Sequence, residues 1–481
     1  MTSLSSWAKY RDVRDPSSRQ GRAIAFGLEN SRFPRHRKRK RESATRHCFL
    51  KCVATGDTGF ALISKVKIEC GEILLSEDPV VSIQTPGNEV SNGLICDKCN
   101  RPVLGLREQL VQLGSYLLPP QQCIAIEDQV GFDCKSCMSK WCRACTSLAD
   151  FQMEKIKHRL WCTGNPRVKQ YEEYAADKKT PQLLIAARAC ILTILPLFLS
   201  KNKRGVDAKN YTWWKEYVHP KWWSVHEGLG ETEEKRRKLI CKESLSLLSA
   251  ALEQHIQALD QDFVTLLSEL LSLNNFGEIM GMLSCNAMVI DFPSPSQEYF
   301  QLLPQLKSQA KIVDKNVAAA HVKTTPMRWS KIEPNAIAGC GLYPLLSLAN
   351  HRCDPNASIE FLRGTNKASL VALRDVLPGE EVSITYIPTN INDTDCGFNP
   401  NRFRNYTPSK TFQFLKEYFQ IDTSDDDSSV GSQSSYEDVG ASDEDDIPVE
   451  TMGLEERQRR LWEYGFGCEC GLCVNERRLT A

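Results

Sequence analysis

Between residues 96 and 162 the chain repeats one spacing three times, at Cys96/Cys99, Cys134/Cys137 and Cys142/Cys145, and closes with His158 and Cys162. Two thiolates separated by two residues grip one side of a tetrahedral ion, so each pair needs a second pair to complete four ligands. Four pairs supply two such sets. The His158 to Cys162 step is the i, i+4 spacing that brings two side chains onto one helix face. A further cluster, Cys468-Glu469-Cys470-Gly471-Leu472-Cys473, offers three thiolates and calls for a fourth ligand from a distant part of the chain. Isolated cysteines such as Cys123 and Cys190 read instead as buried thiols.

Whether twenty cysteines mean disulfides or metal depends on the compartment. No apolar stretch opens the sequence, so no secretory leader is visible, a reducing compartment is expected, and metal is the reading. Sixty basic and sixty acidic residues cancel, which removes global charge as a sign of a nucleic-acid or membrane binder. Charge is local: Arg32 to Arg41 reads RFPRHRKRKR, while Asp422 to Glu450 is acidic and serine-rich. The apolar run Leu183 to Leu199 approaches the length of a membrane span, but Arg188 at its centre and Pro196 near its end favour a buried helix.

The order Cys-x-x-Cys three times followed by His-x-x-x-Cys resembles the MYND finger. Two departures are a 34-residue separation, Asn100 to Asp133, and a third pair one residue tighter than usual. From Gly339 the chain reads GCGLYPLLSLANHRCDPNASIEF, which resembles the SET-domain signature in its Asn350-His351 pair and the Cys353-Asp354-Pro355-Asn356 that follows. Upstream, Gly59-Phe60-Ala61-Leu62-Ile63-Ser64 and Gly71-Glu72-Ile73-Leu74-Leu75 resemble the opening strands of the same fold. Ala61 stands where that family usually has a second glycine, and an added methyl or a lost positive φ is expected to narrow the loop. Downstream, Leu377 to Tyr386 has a strand pattern that sets Val382, Ile384 and Tyr386 on one face. The chain is thereby identified as resembling the SET and MYND domain-containing family, in particular its arthropod SmydA-like methyltransferases.

That resemblance implies an α+β fold: a SET-domain β-fold split by a zinc-binding MYND finger, with a helical insert and a post-SET zinc cluster. The implied segments are a basic N-terminal stretch (1–46), the first SET part (47–95), the finger (96–162), a helical insert (163–338), the SET core (339–390), an acidic low-complexity insertion (391–452) and the post-SET piece (453–481). It implies three zinc ions: Cys96, Cys99, Cys142 and Cys145 on one, Cys134, Cys137, His158 and Cys162 on the second, and Cys353, Cys468, Cys470 and Cys473 on the third. It further implies S-adenosylmethionine held by Thr58, Gly59, Phe60, Asn286, Asn350, His351, Tyr386 and Phe466. Tyr386 is the implied catalytic residue, with Tyr464 and Phe466 walling the substrate channel.

Between finger and SET core, Pro181 to Ser200 and Glu243 to Leu273 read helical, the second carrying an apolar stripe that includes Leu245, Leu248, Leu252, Ile256, Leu259 and Phe263. The acidic 423–446 stretch holds too little apolar surface to order itself, and its serines lie beside carboxylates as candidate phosphorylation sites.

The function so implied is S-adenosylmethionine-dependent methylation of lysine in histone or other proteins, with a transcriptional role in nucleus and cytoplasm. The competing reading is a catalytically weak or inactive adaptor whose finger binds proline-containing peptides of transcriptional partners. Lysine-bearing protein substrates are the expected partners. Membrane association is not expected, and the finger lacks the recognition-helix layout of a base reader, so direct nucleic-acid binding is not expected either.

Overall fold

The computed structural model describes residues 49–55, 59–84, 95–103, 130–137, 139–199, 212–217, 219–225, 230–257, 259, 261–292, 337–361, 364–387, 452–464 and 466–480. Thr58, Cys123, the basic N-terminal run and the acidic stretch lie outside these residues.

The first strands, β1 (Leu50–Thr55) and β2 (Gly59–Ser64), pair antiparallel with Val53 opposite Ala61. Ala61 is wholly buried in this extended strand, and only Asn100 and Lys179 have positive φ among described non-glycine residues. The expected loss of a positive φ at Ala61 is therefore corrected: its backbone suits any L-residue. Two strands follow, β3 (Ile73–Glu77) and β4 (Val81–Gln84). The cysteine-rich region then builds a small unit from β5 (Val130–Asp133), β6 (Lys140–Cys142), α1 (Arg143–Thr146) and α2 (Phe151–Leu160). Its own core comprises Trp141, Phe151 and Val103 with Cys96, Cys142 and Cys145, flanked by Phe132.

A helical module comes next: α3 (Pro166–Asp177), α4 (Gln182–Leu199), α5 (Glu231–Ile256), α6 (Gln261–Leu270) and α7 (Leu273–Asn286). Asn165 caps α3 by accepting from the Arg167 amide (3.0 Å), and Pro166 occupies the first turn, where its missing N–H costs nothing. The expected single helix over Glu243 to Leu273 is two, since the chain turns after Ile256. The turn lets Phe263, Leu267 and Leu270 of α6 join the core already filled by Leu248 and Leu252 of α5. In α4, Arg188 is spent on Asp97 (2.9 Å) and on the Ser82 carbonyl (3.3 Å). No described helix is long and apolar enough to cross a membrane.

The chain then returns to sheet through β7 (Ala287–Phe292) and β8 (Ile337–Leu342), followed by β9 (Asn350–His351), β10 (Ala357–Glu360), β11 (Ala368–Ala372) and β12 (Glu381–Ile384). The described sheets run in the orders β1-β2-β12-β9, β10-β11-β3, β4-β8-β7 and β5-β6. Every residue of β11 is buried, so small and aliphatic side chains are what fit between β10 and β3. β12 lies antiparallel to β2 but parallel to β9, with Ser383 beside Asn350 and Ile384 beside His351. A parallel neighbour cannot come from a tight hairpin, so a segment more than 30 residues earlier is threaded alongside the strand. The chain closes with α8 (Leu454–Leu461), a single 3-10 turn (Trp462–Tyr464) and α9 (Gly471–Thr480).

Candidate metal centres and cofactor site

The thiol clusters form where tight local turns meet distant partners. At Cys96/Cys99 the Asn100 amide bonds back to the Cys96 carbonyl (2.9 Å), with Asn100 itself left-handed (φ 57°). Cys142 ends β6 and caps α1, its sulfur accepting from the Cys145 amide (3.4 Å). The structure brings together Cys96, Cys99, Cys142 and Cys145 in one group, Cys134, Cys137, His158 and Cys162 in a second, and Cys353, Cys468, Cys470 and Cys473 in a third, with the donor atoms of each group within 4.8 Å of one another. Cys162 lies past the end of α2, so its partnership with His158 does not come from sharing a helix face, as the spacing alone suggests.

These donor sets fit zinc. A tetrahedral ion with bonds of about 2.3 Å to sulfur holds its ligands about 3.8 Å apart. Cys99 and Cys142 stand at 3.7 Å, Cys134 and Cys162 at 3.8 Å, and Cys473 and Cys353 at 3.5 Å between sulfurs, while Cys137 lies 3.4 Å from His158 Nε2. Burial opposes ionisation of Cys137, but hydrogen bonds with His158 and Ser139 outweigh it and hold its thiol down at about 5. The Cys353 hydrogen bond, helped by His351, holds Cys468 at about 2 despite burial. In the first cluster, hydrogen bonds with Cys145, Cys96 and Cys99 hold the Cys142 thiol far below its ordinary value, so each cluster contains a sulfur ready to bind as thiolate near neutral pH.

The cysteine-rich unit is moored to the rest of the fold at the Cys96 to Cys99 turn. Asn366 donates from its backbone to the Cys99 carbonyl (2.9 Å) and from its amide to Lys98 O (2.9 Å) and Ser82 Oγ (2.9 Å). Asp97 of the same knuckle accepts from Arg188, so sheet and helical module both hold it.

Parallel pairing of β9 with β12 sets Asn350-His351 next to Tyr386, which stands two residues beyond the end of β12 and so is not part of the strand face expected for it. Asn350 donates to Phe60 O (3.0 Å) and Glu381 Oε1 (2.7 Å), tying β9 to β2 and β12. The Tyr386 hydroxyl donates to the Ala349 carbonyl (2.7 Å), and the Tyr464 hydroxyl donates to the Tyr386 carbonyl (3.1 Å). The Tyr386 ring lies 5.5 Å from Tyr464 and 6.1 Å from Phe466, and Phe466 in turn lies 5.9 Å from His351. Phe60, Asn350, His351, Tyr386, Tyr464 and Phe466 are therefore linked through one another in a single corner. Gly59 opens β2 beside Phe60. Asn286 is buried at the end of α7, its amide donating to Met282 O (2.7 Å), and the β7–β8 register sets its neighbour Ala287 opposite Leu342.

Electron-rich rings and two converging oxygens, the Tyr386 hydroxyl and the Ala349 carbonyl, suit a cationic ligand such as a sulfonium. Residues without a role in the sequence reading hold this corner in place. Buried Asn356 donates to the Glu380 side chain (3.1 Å) and Glu381 O (2.8 Å) and accepts from the Ser383 amide (2.9 Å). Glu77 accepts from the amides of Leu345 (2.9 Å) and Leu346 (3.2 Å), and burial lifts its carboxyl to about 7 against those bonds. Gln458 clamps the third cluster, accepting from the Cys468 amide (2.9 Å) and donating to Cys468 O (3.0 Å) and Cys473 Sγ (3.4 Å). Asn356 lies within the Asn350-His351 motif and Glu77 and Gln458 outside any motif, and no spacing marks what these three side chains touch.

Residues 59–387 match the SET domain family, and the chain belongs to that family. Among curated relatives it is 25% identical over 351 residues to the chicken "Protein-lysine N-trimethyltransferase SMYD5", covering 68% of this chain and 76% of that one. It is 25% identical over 278 residues to the Arabidopsis thaliana "Histone-lysine N-methyltransferase ATXR2", which spans 51% of this chain and 54% of the relative. A 49-residue stretch is 53% identical to the human "Histone-lysine N-methyltransferase SMYD3", covering 10% of this chain and 11% of the relative. These relatives are of the SET-and-MYND and SET types expected from the motifs.

Proposed function

We propose that this protein is an S-adenosylmethionine-dependent protein-lysine N-methyltransferase. The observation that carries the reading is the corner where the Tyr386 hydroxyl meets the Ala349 carbonyl, walled by Tyr464 and Phe466 and adjoining Asn350-His351. Its curated relatives, named as protein-lysine and histone-lysine methyltransferases, support it.

When bound, S-adenosylmethionine supplies an electrophilic methyl group on sulfur. Gly59, Phe60, Asn286, Asn350 and His351 are the residues that would hold it, with Thr58 assigned by sequence alone. Catalysis by this chain is then alignment and electrostatics. The rings of Tyr386, Tyr464 and Phe466 enclose the aliphatic stem of a lysine and disfavour its charged form through desolvation, which leaves the amine free to attack. The Tyr386 hydroxyl and Ala349 carbonyl turn oxygen toward the positive charge of the methyl donor. Calorimetric titration with S-adenosylmethionine, followed by mass spectrometry of lysine peptides, tests the reading. Binding heat and a mass gain on lysine are expected, and no heat at high cofactor concentration would end it.

Residues 96–162 are read as a MYND-type finger interrupting the SET fold, and Cys468 to Cys473 as a post-SET cluster. The interleaved pairing of the first two clusters and the recruitment of Cys353 support this. Proline-containing peptide partners, a transcriptional role and residence in nucleus and cytoplasm belong to the same proposal. Cys134→Ser separates the two activities: loss of partner binding with methyl transfer intact assigns the finger to recruitment.

A further inference from the structure

The His351 ring is buried and lies between the third cluster and Tyr386, which also packs against that cluster. On one side the Tyr386 backbone amide approaches Nδ1 at 3.0 Å. A backbone amide can only donate, so Nδ1 is an acceptor and carries no proton. The proton of the neutral ring is then on Nε2, and Nε2 lies 3.3 Å from Cys353 Sγ, a donor of the third cluster. The tautomer is fixed by the partners at both ends. Four thiolates around a divalent ion leave a net charge of about −2 in a closed site, and an N–H aimed at one sulfur offsets part of it. Other donors to this cluster are the Cys470 amide on Cys468 and, from α8, Gln458 and Arg457 on Cys473. His351 bonds directly both to a sulfur of the cluster and to the Tyr386 backbone.

We infer that the His351 side chain is a positioning residue that couples the third metal centre to Tyr386, donating from Nε2 to the Cys353 thiolate while its Nδ1 holds the Tyr386 backbone. This rests on the proposed function and deepens it. The sequence resemblance assigns His351 to cofactor contact, whereas here its imidazole is committed at both nitrogens, which leaves its backbone for the cofactor. Loading of the third centre orients the ring, the ring fixes Tyr386 N, and the Tyr386 hydroxyl thereby stays on Ala349 O.

Two isosteric variants separate the two ends. An asparagine amide oxygen stands near the Nδ1 position and keeps the acceptor but lacks the sulfur donor. A glutamine amide nitrogen stands near Nε2 and keeps the donor but loses the acceptor. The full chain loaded with cadmium is expected to show three cadmium resonances, which report each cluster separately. His351→Asn should shift the third resonance alone and weaken that metal about 10- to 100-fold in chelator competition. His351→Gln should leave the third resonance near its native place while weakening S-adenosylmethionine binding about fivefold or more, the order of effect of orphaning one amide. Unmoved first and second resonances show that each variant is folded. A third resonance unmoved by His351→Asn, or cofactor affinity within about twofold of native in His351→Gln, overturns the coupling. If the native chain itself gives no heat with cofactor, the proposed function fails and the cadmium arm alone decides the bridge.

Discussion

Tyr386→Phe removes one hydroxyl and leaves the ring packing against Tyr464 and Phe466 in place. Methyl-transfer kcat should fall about 100-fold or more, as for loss of one preorganised polar group, while cofactor affinity changes little. Steady-state kinetics beside calorimetry checks both. Glu77 makes a different prediction. Its folded pKa of about 7 lies above the ordinary carboxyl value, so the folded state binds the extra proton between about pH 4.5 and 7. Its contribution to stability is present at acid pH and lost as pH rises through 7. Glu77→Gln should remove that loss, and melting curves at pH 5.5 and 8 should differ less in the variant than in the native chain, by about 1–2 kcal/mol. Tyr386 was legible in the sequence because it closes a second, downstream segment, Leu377 to Tyr386, and Asn350 and His351 because their motif is contiguous. Ala349 and Asn356 stood in the same motif without an assignable role, because a carbonyl or a buried amide acts through whatever the fold sets opposite it.

Helical periodicity located α4 and α5 but not the break after Ile256, since apolar spacing continues across it and only the shared core demands a turn. The spacing of His158 and Cys162 paired the right residues for the wrong reason, as Cys162 lies beyond its helix. Gly281 shows what periodicity cannot report. A methyl there would run into the Pro220 carbonyl, so α7 lies against this segment as closely as a backbone can. Gly281→Ala should destabilise the protein by about 1–3 kcal/mol in thermal melts, and it should weaken cofactor binding because α7 ends on Asn286. A weakened melt with unchanged cofactor affinity would detach Asn286 from the site.

Across the whole molecule the cysteine pairs were the most legible feature, because two thiols at tight spacing mark a metal knuckle, while the choice of which pairs share an ion came from the family resemblance. The threading of β9 beside β12 was the least legible, because parallel pairing leaves no local mark. Native mass spectrometry should find three zinc ions per chain, and strong chelation should abolish S-adenosylmethionine binding as well as loosen the finger. Retention of cofactor affinity after removal of all metal would refute that linkage. The arrangement of the third cluster also governs when the protein becomes competent during its synthesis. Cys353 waits for Cys468, Cys470 and Cys473, and Tyr386 waits for Tyr464 and Phe466, so a ribosome that has released everything up to Tyr386 has made the sheet, the finger and the helices but no working corner. A chain ending at residue 450 should carry two metals and bind no cofactor, which makes synthesis of the Tyr464 to Cys473 segment the step at which the nascent chain gains its cofactor corner.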